Sequence, residues 1–152
     1  MLLMLFNIGD DRFGIDAQDL LEVLPAVPLQ TVHGMPAGVV GLLSWRAALV
    51  PVIDLDLLTL GQPCPARLST RILVVRYRPG PPGARIGLRV QRADDTATVN
   101  PADFLETGLT PPAPPRFGGV LSHAHQPVQQ VLPEQLLSDA VRASLFSQTM
   151  PT

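Results

Sequence analysis

Three histidines, one cysteine and thirteen acidic residues are the side chains from which this 152-residue chain would have to build an active site. His123 and His125, as His-x-His, would share one face of a strand and could hold a metal between them. Two ligands do not make a zinc site, however, and no cysteine stands near them. His33 is alone in a loop before Gly34, without the partner a general base needs. Asp54 and Asp56 follow an apolar strand, a placement that can serve a metal or acid–base role, although helix capping explains them more simply. Cys64, between Pro63 and Pro65, cannot form an internal disulfide and reads as an incidental reduced thiol. The sequence contains no phosphate loop, no Gly-rich dinucleotide turn and no Gly-x-Ser-x-Gly elbow. The expectation is a protein that is not an enzyme and needs neither cofactor nor metal.

Charge is the next source of chemistry. Net charge is −2, but residues 67–92 hold seven arginines and no acid, flanked by −5 over residues 1–66 and −4 over residues 93–152. The Arg67–Arg92 strip could meet nucleic acid or another acidic ligand, or it could be a solvated hairpin face paired with the acidic flanks. Only Tyr77 interleaves these arginines as an aromatic, so stacking on bases is poorly supported. No nucleic acid partner is expected.

The elements that must position these groups follow from composition. Hydrophobic residues make 46% of the chain and charged ones 16%, which excludes extensive disorder. Seventeen prolines and twelve glycines, spread throughout, would break a helical bundle but suit many short strands joined by turns. The apolar opening Met1 to Phe6 is too short for a signal peptide or a membrane span, so a cytoplasmic location without membrane insertion is expected. Strands are expected over Leu2–Ile8, Phe13–Ile15, Glu22–Leu24, Gly38–Ser44, Leu49–Ile53, Arg71–Tyr77, Ile86–Val90, Thr96–Val99, Phe117–Leu121 and Val128–Leu132. Short helices are expected after Asp16, over Asp54–Leu60 before Gly61, at Pro101–Leu105, and between Pro133 and Phe146.

An internal repeat runs through this pattern. At an offset of 78, Gly41-Leu42-Leu43-Ser44 lies over Gly119-Val120-Leu121-Ser122, Val50 over Val128, Ile53 over Val131 and Leu58 over Leu136. Phe13-Gly14-Ile15 matches Ile86-Gly87-Leu88 at an offset of 73. Two copies of a unit of about five strands point to a pair of small barrels.

The run Gly38 to Leu55, with Trp45-Arg46-Ala47 at its turn and Val50-Pro51-Val52-Ile53-Asp54-Leu55 returning, resembles the signature stretch of the CheW-like family. Phe13-Gly14-Ile15-Asp16, Leu21-Glu22-Val23, Val32 to Pro36 and Ile86 to Val90 extend the likeness over nearly the whole chain. The resemblance implies a single all-β CheW-like domain over residues 1–152, built as two SH3-like five-stranded β-barrels. Approximate subdomains are 14–72 and 73–146, with the terminal segments exchanged between barrels. It further implies a scaffold that couples a chemoreceptor's cytoplasmic tip to a CheA-like histidine kinase and can self-associate in arrays. On this reading Arg46 meets a receptor carboxylate, Trp45 lies beside it, and Leu42, Ile53, Val90 and Val99 line a groove between the barrels. Residues 67–79 and 140–146 look like Wsp-type surface-sensing members, whose kinase drives a cyclic-di-GMP-producing regulator. Ala47 stands where the family has glycine, so a turn of different shape is expected.

Overall fold

A computed structural model describes residues 1–146. Turn chemistry sets its local elements. β1 (Leu2–Ile8) and β2 (Asp11–Asp16) form a tight antiparallel hairpin. Asp16 then caps a single 3₁₀ turn, its carboxylate accepting from the Gln18 amide at 2.9 Å, before β3 (Leu20–Pro25). β4 (Val39–Trp45) and β5 (Ala48–Asp54) form the second hairpin. α1 (Leu55–Leu60) begins where Asp54 accepts from the Leu57 amide at 3.1 Å and ends at left-handed Gly61, as Asp54 and Gly61 led one to expect. β6 (Thr70–Arg76), β7 (Arg85–Thr98), the hairpin of β8 (Val120–His123) and β9 (Gln126–Val131), and α2 (Asp139–Phe146) complete the described chain.

One expectation is corrected here. Ile86–Val90 and Thr96–Val99 are not separate strands, because β7 runs unbroken for 14 residues. It changes direction at Arg92, which takes φ 55°, and the register against β1 shifts between Leu5 and Asn7. The first part of β7 pairs with β6 and, in parallel, with β5; the rest pairs with β1.

This bent strand belongs to two groups of equal design. In one, β4 pairs with β5, β5 runs parallel to the first part of β7, and β6 and β3 follow antiparallel. In the other, β8 pairs with β9, β9 runs parallel to β2, and β1 and the end of β7 follow antiparallel. The repeat is kept to the residue: Leu43 faces Val50 as Leu121 faces Val128, and Val52 faces Gly87 as Gln130 faces Gly14. Both glycines sit where strands approach closely. A Cβ on Gly87 would meet Val52 at 2.9 Å, and one on Gly14 would meet Leu3 at 3.0 Å.

The all-β architecture is as expected, but neither group closes as a barrel. Between β4 and the chain beyond β3 only an isolated Gln30–Leu42 bridge forms, and β8 meets the chain after β7 through Leu105–Val120. The limits 14–72 and 73–146 fall inside β2 and β6, whereas pairing joins β1 and β2 to β8 and β9.

Three apolar clusters hold the strands. Leu43, Trp45, Val50, Val52, Ile72 and Val74 fill the first group. Leu3, Leu5, Ala97, Leu121 and Val128 fill the second. The largest cluster lies between them and draws on both, with Phe6 and Phe13 beside Ile53, Leu73, Leu88 and Val90. Each fully buried side chain of this size contributes roughly 1.5–3 kcal/mol, so the joint between the groups is a major source of stability.

Candidate protein-docking site

The β4–β5 turn presents Arg46 at its tip. Arg46 and Ala47 take φ 47° and 63°, the pattern of a type I′ turn, which suits the right-handed twist of a two-residue hairpin. The different turn shape expected from Ala47 is therefore corrected: hairpin register prevails over alanine's preference, and the cost is about 1–2 kcal/mol for a left-handed non-glycine residue. Ala47→Gly should raise unfolding stability by roughly 0.5–1 kcal/mol, since glycine's extra unfolded-state entropy offsets part of the relief. A urea titration would read it, and an unchanged or lower midpoint would count against strain at this position.

Trp45 anchors the turn from below. It is 6% exposed, its ring packs in the first apolar cluster, and its Nε1 donates to Glu22 Oε1 on β3 at 2.8 Å. The Arg46 guanidinium lies 4.4 Å from the indole centroid and that of Arg85 lies 5.0 Å from it. Arg46 Nη2 also approaches the same Glu22 oxygen at 3.7 Å. With 67% and 40% of the two side chains exposed, that ion pair orients more than it stabilises.

A cleft of about 650 Å³ opens beside this turn, against the hairpin that joins β6 to β7. Arg46, Arg76, Arg78 and Arg85 line it together with Trp45 and Tyr77, and no acidic side chain does. Arg78 is ion-paired with the buried Asp19, and Arg76 donates to the Gln18 carbonyl. The arrangement is an open, arginine-lined pocket with apolar residues in its wall, suited to recognising carboxylates by contact.

The sequence matches the family model of the CheW-like domain over residues 2–141. The chain belongs to the CheW-like family. Among solved structures it is similar to the crystal structure of scaffolding protein TtCheW from Thermoanaerobacter tengcongensis, with TM-score 0.74 and 19% identity over 92% of this chain and 89% of that one. That likeness is one of fold. None of the curated proteins matches. CheW-like proteins are non-catalytic scaffolds of chemotaxis signalling, and by its family this chain is such an adaptor-type domain and no enzyme. No helix among the described residues is long and apolar enough to cross a membrane.

Within this CheW-like domain, only Trp45 and Arg46 of the six expected contact residues come together at one surface. Ile53 and Val90 are fully buried in the joint between the strand groups and offer no surface to a partner. The expected groove is filled at these positions by the shared core. Leu42 is half-buried and bridged to Gln30, while Val99 lies in the other group, packed on the cluster of Leu3 and Leu5 and bonded to Met1. Glu22, Arg76, Arg78 and Arg85 were not singled out individually in the sequence. The absence of acids between residues 67 and 92 was the available signal for the last three.

The second-group counterpart of the Arg46 turn is His123-Ala124-His125-Gln126, where Ala124 and His125 take φ 51° and 62°. Its polar tip carries no counterpart of the Trp45 anchor. Elsewhere, Asp54, Asp56 and Cys64 bring one potential ligand atom each within 4.8 Å of one another. Both Asp54 oxygens already accept amides, from Leu57 and from Cys64, so Asp54 serves as a structural cap. Cys64 is no incidental thiol: it is 3% exposed, accepts from Gln91 Nε2 at 3.1 Å, and has its pKa pushed up by burial.

Asp56 is buried with Oδ1 unpartnered. Burial pushes its carboxyl above the usual range, the Gly9 amide opposes this, and the Asp54 charge adds to it. A folded-state pKa above the unfolded value means that the native state holds the proton longer. This group's contribution to stability therefore falls as pH rises from the unfolded pKa through the folded one. Asp56→Asn keeps an acceptor for Gly9 and should stabilise at pH 7, where the buried carboxylate would otherwise be charged. Thermal melts at pH 5 and pH 7 should also lie closer together than in the native chain; equal or lower stability at pH 7 would exclude the effect.

Proposed function

We propose that this CheW-like domain is a cytoplasmic adaptor that couples the cytoplasmic tip of a chemoreceptor to a CheA-like sensor histidine kinase. The observation that carries the reading is the Arg46 turn. A guanidinium is held at the tip of a fixed hairpin, over an indole and beside Glu22, in a domain whose family consists of scaffolds. A guanidinium so held offers planar, paired N–H groups to a carboxylate with little ordering left to lose on binding.

The partner contacts divide by geometry. The Arg46 turn meets an acidic partner surface, and the outer edges of β4 and β8, each carrying only an isolated bridge, are open to strand-edge pairing with the kinase's regulatory domain or with further copies in an array. Residues 67–79 and 140–146 favour a Wsp-type pathway with cyclic-di-GMP as its output. Nothing in this mechanism requires a cofactor or direct membrane insertion.

The test is capture. Immobilised native protein, offered the cytoplasmic tip of a receptor and the kinase from the same cell, should retain both. Retention of neither overturns the adaptor reading. A nucleic-acid reading of the Arg67–Arg92 strip would instead require a salt-dependent shift of DNA or RNA.

A further inference from the structure

We propose that the cleft between the β4–β5 turn and the β6–β7 hairpin binds an acidic protein segment that also carries apolar side chains; this refines, and rests on, the adaptor reading above. Four guanidiniums converge on a space of about 650 Å³, within the size range of ligand pockets. Arg78 is neutralised within the chain by Asp19, while Arg46 lies 3.7 Å from Glu22 in a long, largely exposed pair that leaves it able to meet a partner carboxylate. Arg76 and Arg85 have no ion pair among the described residues. The Arg85 guanidinium carbon lies 5.0 Å from the Trp45 ring centroid, and a guanidinium placed there can offer paired N–H groups to a carboxylate in a bidentate fork. Arg76 and Arg85 therefore add about two unspent positive charges beside Arg46, enough for two acidic side chains.

Its other properties suit a peptide. Trp45, Tyr77 and Leu21 supply apolar lining, and Pro81 and Pro82 stiffen the facing wall, so little is left to order when a segment enters. They do not suit a polynucleotide. The remaining arginines of residues 67–92 leave this surface. Arg67 and Arg92 line a separate small cavity with Asp10 and Asp56. Arg71 bonds the carbonyls of Leu68 and Thr70, and Arg89 is half-buried. No continuous track of cations remains for a phosphate backbone, and the only tryptophan is already stacked by arginine.

The experiment measures fluorescence anisotropy of a labelled twelve-residue peptide of glutamate and leucine against the full chain. A lysine–leucine peptide and a twelve-residue thymidine oligonucleotide serve as comparisons. The glutamate peptide should bind, the lysine peptide should not, and the oligonucleotide should bind at least tenfold more weakly. Arg76→Glu with Arg85→Glu should weaken the glutamate peptide at least tenfold, and the milder Arg76→Gln with Arg85→Gln severalfold, with circular dichroism unchanged. Arg67→Glu, outside the cleft, should leave affinity within twofold. Equal binding by the double variants, an equal loss in Arg67→Glu, or preference for the oligonucleotide each overturns the proposal. The two readings fail separately. Receptor and kinase capture unchanged in the double glutamate variant removes the cleft from the adaptor reading, whereas peptide binding without capture by the native chain removes the adaptor and keeps the cleft.

Discussion

Replacing Arg46 by glutamate is expected to lower capture of the receptor tip and the kinase at least tenfold while the fold stays intact. Arg46 is exposed and makes one long ion pair, so its removal leaves no buried group unpaired. The change in stability should stay within about 1 kcal/mol, as for exposed sites, with some repulsion from Glu22 included. The effect on binding is larger because the charge reverses where a partner carboxylate is to sit. Exchanging the pair, Glu22→Arg with Arg46→Glu, sharpens the result. The exchange restores attraction across the turn but presents the wrong charge at its tip, so capture should stay low. Recovery of capture would mean that Arg46 acts only by holding the turn, and undiminished capture by Arg46→Glu alone would remove this residue from the interface.

The largest stability effect should come from Trp45→Ala, at about 3–5 kcal/mol. The ring is 6% exposed and packs with Leu43, Val50, Val52, Ile72 and Val74; its loss leaves a cavity and frees Glu22 of its indole donor. Against the 5–15 kcal/mol that typically separates folded from unfolded chains, this is a large share. Trp45→Phe keeps most of the packing and loses the hydrogen bond, for an expected 1–2 kcal/mol. Urea unfolding followed by circular dichroism measures both; a loss under about 1 kcal/mol for Trp45→Ala would mean that the ring is a surface feature and no plug. Trp45 is also the only tryptophan, so native fluorescence reports on this site alone and should shift when the cleft is filled.

What could be read from the sequence was local or periodic. Asp54 and Gly61 mark the ends of α1 because capping is decided within a turn of chain. The 78-residue offset set equivalent positions over one another, and the two hairpins repeat their registers accordingly, Leu43 with Val50 and Leu121 with Val128. The joint between the two groups was not readable. Ile53 and Val90 look like groove residues in any single strand, and only the packing of one group on the other turns them into core. The continuity of β7 was not readable for a related reason: Arg92 takes a left-handed conformation that arginine does not signal, and its backbone is held by Ser69 and by the Arg12 side chain, both distant in sequence. The cleft likewise assembles from Trp45 and Arg85, which share no periodicity and meet through the pairing of β7 with β5 and with β6.

The order of strands has a consequence for how the molecule is made. β1 and β2 leave the ribosome well before their partners, yet β1 pairs with the end of β7, and β2 pairs with β9 through contacts such as Ile15 with Val131. At about 5–20 residues per second, the opening hairpin waits on the order of 6–23 seconds for its last partner. In the meantime β3, β4, β5 and β6 can assemble with the first part of β7 as each emerges. Synthesis thus leaves Leu3, Leu5 and Phe6 uncovered until β7 and β9 have emerged, and it is during that interval that a nascent molecule is most open to chaperones and to misassociation with its neighbours.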